Sequence, residues 1–452
     1  MSTPDTWTAT LRRVARWADE HDRQRLGGTT DGIDDRDGPT PPGLPATAWA
    51  TARAAVTVAA APVVGPAMVL AAVRTTQIAR RRIDAFPEHL HALAEERPSP
   101  LREERVRRLG SDQRYLVTSD LHRCVAGRLD WPRVQRVKEL YPRVLERYLD
   151  DGWHLVENGD VEDFWMVGGS TWGAVYDVAG MLEQLNGTLR PGTATAAALV
   201  EHLDRVVTNN EATYEVLRAF GSEDRYHRTM GNHDDAFALP EVAARLAQHV
   251  PGAEVADTIV LARPGARPTD GVSGVDAFIS HGHLTDSWNG PGFALLGRAL
   301  TATLTTLGDL PTRGSRPDEG LPRADALDRL LEGGWNRLIT LDARFGGNRR
   351  FDSLDEQRLF ARLAETEPED GWPWLLHGHT HYPMLTPFDR EGNRTRYANS
   401  GCGVLDGAFT ALEWDASDPE RPVSLVVWTE RNGDGPERIE LHPHGDRVRA
   451  AR

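Results

Sequence analysis

The sequence predicts an α/β fold of α+β character: a sheet with a polar site along one edge and helices beside it. Three observations predict it. Short apolar runs recur along the chain, each ending in a fragment rich in Asp, Asn or His. An amphipathic helical stripe separates the first two runs, which makes a strand–helix–strand unit with parallel strands. Hydrophobic residues make up 40% of the 452-residue chain, enough for a sizeable core.

Residues 1–43 are polar and acidic. A short helix is expected over Thr6–Ala18, followed by a flexible linker that ends in Gly38-Pro39-Thr40-Pro41-Pro42-Gly43. The opening residues lack the apolar run of a secretory signal. Residues 44–110 are first apolar and then basic. Ala54–Val73 carries no charge and lies between Arg53 and Arg74, and its length suits a membrane span. Its content is weaker, with eight Ala and with Pro62, Gly65 and Pro66 as interruptions. Six Val and one Leu supply only a few kcal/mol of insertion drive, at about 0.3–0.6 kcal/mol each. The alternatives for 54–73 are membrane insertion or association and an Ala-rich helix packed on the main domain or on a partner. If the segment spans, Arg80, Arg81 and Arg82 place the following domain in the cytoplasm. A basic helix is expected over Ile78–Arg108.

Residues 111–430 read as the main domain. Tyr115–Thr118 is a short strand. Trp131–Leu149 carries Val134, Val137, Leu140, Tyr141, Val144, Leu145 and Tyr148 at helical spacing, with a kink expected at Pro142. Asp151-Gly152 stops that helix, and Trp153–Val156 is the next strand. Tyr226–Met230, Val275–Ser280 and Trp372–Leu376 repeat the pattern, the last after a capping box from Ser353 to Glu356. Ligand sites form beyond the carboxyl ends of strands in open α/β sheets, so distant fragments can meet at one edge of one sheet. Two insertions, 164–225 and 284–371, interrupt the pattern, and such segments shape pockets. The first is expected to be mostly helical. Phe409–Trp414 and Val423–Trp428 read as closing strands, and 431–452 as a polar tail that frays.

The formal net charge of -15 and a pI near 5.5 argue against a general nucleic-acid coat, which needs a basic face. Cys124 and Cys402 are the two cysteines and form no CxxC pair. They indicate neither a disulfide framework nor a zinc knuckle, and a cytoplasmic setting is the simplest expectation.

The chemistry lies in five fragments: Asp120-Leu121-His122, Gly159-Asp160-Val161-Glu162-Asp163, Gly231-Asn232-His233-Asp234, His281-Gly282-His283 and Gly378-His379-Thr380-His381. One such fragment means little. Five in this order supply enough oxygen and nitrogen donors for two neighbouring metal ions, and a metal pair is a device for attacking phosphate esters. An Asp can bridge ions about 3.5–4 Å apart. One residue separates Asp120 from His122, and His379 from His381, as a strand end needs to point both side chains the same way. Carboxylate, amide and imidazole donors suit Mn, Fe, Zn, Co or Ni. His283 and His377 are expected to position neighbours rather than ligate, and His154 and His227 to be ordinary strand histidines.

The arrangement resembles the calcineurin-like metallophosphoesterase family over roughly Arg114–Trp428, on the strength of these fragments and their strands. The resemblance implies a β-sandwich flanked by helices, here with helical insertions and a helical N-terminal extension, and a dinuclear centre at the sheet edge. It implies Asp120, His122 and His381 as ligands of the first metal. It implies Asn232, His281 and His379 as ligands of the second, and Asp160 as the bridge. It implies His233 as the catalytic histidine and Asp163 as the acid that orients it. The expected reaction is attack of a metal-bridging hydroxide on a phosphomonoester, phosphodiester or pyrophosphate, with His233 assisting the leaving group.

Phe164-Trp165 stand where Ser/Thr protein phosphatases have Arg-Gly, which argues against that branch. The Asp-Leu-His and His-Gly-His-Thr-His fragments are similar to those of UDP-diacylglucosamine hydrolases, which cleave a lipid-linked pyrophosphate. That group usually has Arg where His233 stands. The expected substrate is a phosphorylated small molecule or a lipid-linked phosphate. Trp165, Trp172, Arg349 and Arg350 are candidates to grip a base or a second phosphate. A nuclease and a non-catalytic scaffold of the same fold are the alternatives. The acidic balance weighs against the first, and the intact ligand set against the second.

Overall fold

Two stacked sheets carry the strands, and helices cover both outer faces. The computed structural model describes residues 76–101, 104–125, 130–134, 136–165, 193–286, 354–381, 383–386, 396–405, 407–430 and 435–441. The Thr6–Ala18 helix, the Ala54–Val73 segment, the tip of the capping box at Ser353, Trp172, Arg349 and Arg350 lie outside the described residues. Among those described, no helix is long and apolar enough to cross a membrane.

One sheet has seven strands in the order β13-β12-β11-β2-β3-β4-β5. Its parallel half is β2 (Tyr115–Thr118), β3 (His154–Asn158), β4 (Tyr226–Thr229) and β5 (Val255–Ala256). Its antiparallel half is β11 (Ala408–Trp414), β12 (Val423–Glu430) and β13 (Pro436–Leu441). The other sheet has six strands in the order β1-β6-β7-β8-β10-β9. They are β1 (Val106–Gly110), β6 (Thr258–Ala262), β7 (Val275–Ser280), β8 (Trp374–His377), β9 (Met384–Thr386) and β10 (Tyr397–Asn399).

Strand alternation sorts the side chains into layers. Tyr115, Val117 and Val156 of the seven-stranded sheet meet Ile259, Leu261, Ile279 and Leu376 of the six-stranded sheet between the two. Leu116, Leu155, Phe409 and Val426 face the other way. They pack beneath α2 (Leu140–Asp150), α3 (Thr193–Asn209), α4 (Glu211–Ser222) and α5 (Pro240–His249). Helix α1 (76–94) contributes Phe86, Leu90 and Leu93, and α6 (Leu354–Glu365) contributes Leu359 and Leu363, to the outer face of the six-stranded sheet. A sheet buried on both faces needs apolar residues at both parities, which is why β2 is buried at every position.

The strand–helix–strand unit forms as the sequence predicts, with Tyr115 opposite His154 in a parallel pair. The Trp131–Leu149 helix does not form as one piece. A single turn, Trp131–Val134, precedes α2, and Pro142 sits in the first turn of α2, where its missing N–H costs no hydrogen bond. The basic helix expected to reach Arg108 ends at residue 94, and Val106–Gly110 instead pairs in parallel with β6. The expected fraying tail contains β13, which pairs along β12. Both corrections concern edge strands, whose polar sequences lack the alternation that marks a half-buried strand.

Leu376 is fully buried between the sheets. Leu376→Ala is expected to cost about 2–5 kcal/mol in urea unfolding. A loss below about 1 kcal/mol would contradict the inter-sheet packing.

Candidate metal centre

All five fragments lie just past strand ends. Asp120 follows β2, Asp160 follows β3, Asn232 follows β4, His281 follows β7 and His379 follows β8. The expected edge of one sheet is therefore the shared edge of two. Asn158 joins them there. Its Nδ2 donates to Ser280 O at 3.0 Å, its Oδ1 accepts from Thr229 Oγ1 at 2.7 Å, and its backbone O lies 2.8 Å from His281 Nδ1.

The turns that aim the side chains are strained. Asp120, His122, Asp160, His379 and His381 all have positive φ, between 45° and 73°, and are five of the eight such non-glycine residues among those described. Each such residue costs on the order of 1–3 kcal/mol and persists only where its surroundings hold it. Here backbone bonds hold it. Asp120 N–H donates to Gly159 O at 3.1 Å, His122 N–H to Asp160 O at 2.9 Å and His379 N–H to Asp120 Oδ2 at 2.9 Å. Asp120 and His122 do point the same way, but through left-handed turns rather than strand alternation, and Leu121 between them enters the core. The motif glycines have a steric cause. A Cβ on Gly231 would collide with Asp160, and one on Gly378 with Ser119 and Asp120.

The ligating atoms of Asp120, His122 and His381 converge within 4.8 Å of one another, and so do those of Asp160, His281 and His379. In the first group, His381 Nε2 lies 3.1 Å from both Asp120 Oδ1 and His122 Nε2. In the second, His281 Nε2 lies 3.2 Å from Asp160 Oδ2. Asp160 Oδ1 accepts the His233 N–H at 2.7 Å, which ties the third fragment to the cage. Asp120 Oδ1, Asn232 Oδ1 and His281 Nε2 are buried and make no well-directed hydrogen bond.

The far side of each imidazole is held. His122 Nδ1 and His233 Nδ1 lie 2.9 and 2.8 Å from the same Asp163 oxygen. His379 Nε2 meets Asp286, and His381 Nδ1 lies 3.6 Å from Cys402 Sγ. Burial penalises the Asp160 carboxylate, but His281 and His233 outweigh it and hold its pKa well below the ordinary value. Burial likewise opposes charge on His281, yet Asp160 and Asp120 lift its pKa to about 9. The carboxylates and imidazoles of the cage thus favour one another's charged forms.

A second ionic layer lies behind the cage. Arg123 pairs with Glu157 and lies 3.6 Å from Glu162, while Arg228 pairs with Glu162 and, at 2.9 Å, with Asp234. Tyr141 and Tyr226 donate to Glu157 at 3.0 and 2.7 Å, and Tyr214 donates to Glu162. Asp234 also accepts the Val161 and Gly231 N–H groups. All five charged residues are buried. The sequence pattern gives these residues no role, and gives none to Asn158 or Asp286. The one available signal was that Arg123, Glu162 and Asp234 lie inside or beside the motifs.

Trp165 packs against His233. It is 3% exposed and stacks on His233 at 4.2 Å between ring centroids; its backbone N–H donates to Asp163 Oδ1 at 2.8 Å and its indole N–H to Asp235 Oδ1 at 3.4 Å. His283 and His377 are buried beside the cage and belong to neither convergent group. His154 and His227 stack on each other at the far ends of their strands.

No family model and no curated protein matches the chain. A solved structure of an archaeal phosphodiesterase is 12% identical, with 70% of this chain and 99% of that one covered and a TM-score of 0.27. A likeness at that level decides nothing about chemistry.

Arg228→Met leaves Asp234 buried without its cation and Glu162 with Arg123 alone, at 3.6 Å. It is expected to destabilise the chain by about 3–5 kcal/mol in chemical denaturation. A change within 1 kcal/mol would show that the network carries no charge balance.

Proposed function

We propose that the chain is a metal-dependent phosphoesterase. Asp120, His122 and His381 would hold one divalent ion, and Asn232, His281 and His379 a second, with Asp160 shared between them. The observation that carries this is the convergence of the Asp120, His122, His381 and the Asp160, His281, His379 ligand atoms, with Asn232 Oδ1 buried and without a hydrogen bond on the loop between. Leaving the Asn232 oxygen unsatisfied costs about 1–3 kcal/mol. The donors fit the metals. They mix carboxylate, amide and imidazole, which suits Mn, Fe, Zn, Co or Ni. Two ions bound there would supply Lewis acidity toward phosphate oxygens and toward a water.

The chain's own groups do the rest. Asp163 fixes the His233 ring through Nδ1, and Trp165 lies flat against it, so Nε2 is the nitrogen left to serve a leaving oxygen. Burial works against the charged ring, and Asp163 and Asp160 outweigh it, so its pKa is raised. A raised pKa favours a proton donor. The His233 side chain is 15% exposed while Asp163 is fully buried, so the proton is carried where substrate can reach it. The net charge of -15 favours a phosphorylated small molecule or lipid-linked phosphate over nucleic acid.

Stripping metals with a chelator is expected to abolish hydrolysis, and returning a divalent ion to restore it. His233→Ala is expected to keep its metals and lose about 10²–10⁴ in kcat on esters with poor leaving groups. Wild-type rates would remove His233 from the reaction. Asp160→Asn is expected to lose metal content as well as rate, and full occupancy by elemental analysis would contradict a shared carboxylate.

A further inference from the structure

We propose that Asp286 is a positioning residue for the second metal, acting through His379. This rests on the two-metal reading above. Asp286 Oδ2 lies 2.5 Å from His379 Nε2, with the two side chains 23% and 10% exposed. A carboxylate there places the ring proton on Nε2 and leaves the Nδ1 lone pair for the ion. His122, His281 and His381 have the opposite arrangement: their Nδ1 atoms are held from outside and their Nε2 atoms face the cage. Held at Nε2, His379 would ligate through Nδ1, inverted relative to its neighbours, and Asp286 would be the group that sets the inversion.

The fold fixes both partners. The His379 backbone has φ 73° and its N–H is tied to Asp120, so the ring enters the cage from a set direction. The His379 and His281 rings lie edge to face at 5.1 Å. Asp286 ends the short 3-10 turn His283–Thr285, with its N–H on His283 O at 3.2 Å. Leu284 anchors that turn in the outer core with α1 and α6, and Arg82 of α1 donates to Leu284 O at 3.3 Å. The loop that supplies His281 therefore also supplies the carboxylate that orients His379. A carboxylate behind a ligating imidazole fixes the tautomer and raises its basicity.

The test is a Mn²⁺ titration of the metal-stripped full chain by calorimetry, comparing wild type, Asp286→Ala and Asp286→Asn. Asp286→Ala is expected to weaken one binding step about 10–100-fold and leave the other within about twofold. Asp286→Asn is expected to recover part of the loss, since its amide oxygen still accepts from Nε2–H. Nitrogen NMR of the metal-free wild type is expected to show the His379 proton on Nε2, and Asp286→Ala to lose that preference. Two unchanged steps in Asp286→Ala, or equal losses at both, overturn this assignment alone. A wild-type chain that binds no divalent ion overturns the phosphoesterase reading and this assignment with it.

Discussion

Charge balance at one end of the sandwich constrains everything else. Asp120, Glu157, Asp160, Glu162, Asp163 and Asp234 are each no more than 2% exposed. An ionised carboxylate out of water costs several kcal/mol unless it is paired and hydrogen-bonded. On the helix side the cost is offset by Arg123 and Arg228, with three tyrosines completing the hydrogen bonds. On the open side Asp120, Asp160 and Asp163 face imidazoles instead. Arginine on both sides would give a sealed ionic core. Imidazole on one side gives carboxylate and imidazole groups that could hold a metal ion.

The two layers are mechanically one object. Arg123 directly follows the His122 turn, Glu162 lies between Asp160 and Asp163, and Asp234 follows His233. Each loop carries one side chain into the inner ionic layer and others into the cage. The β2–β3 pairing also runs on past the strands, with Arg123 bridged to Glu162 and Asp163 N–H on Arg123 O at 2.9 Å. Left-handed residues survive there because backbone bonds, glycine contacts and buried ion pairs all act on the same few turns. Rigidity of this kind is what a metal site needs, since ligand atoms must stay placed within a few tenths of an ångström.

The histidines show how the surroundings give chemically equal side chains different roles. His233 and His122 share Asp163, yet His122 Nε2 points into the cage while the His233 ring lies under Trp165 and reaches solvent. His377, a motif neighbour, is buried with its pKa pushed down to about 3 by burial and by His281 and His379. It is a neutral spacer. Position in a motif does not separate these cases, whereas the atom each ring nitrogen meets does.

The strands that end in polar fragments, the parallel strand–helix–strand unit and the residues of the two convergent triads are legible in the sequence. Those are local matters: an apolar run, a period and a turn residue are written in neighbouring letters. Long-range packing splits the fragments between two sheets, makes strands of Val106–Gly110 and Pro436–Leu441, and lays Trp165 over His233. It alone brought Asn158, Arg228 and Asp286 to the site. Those features depend on which distant groups share a buried, low-dielectric space, and no short-range pattern records that.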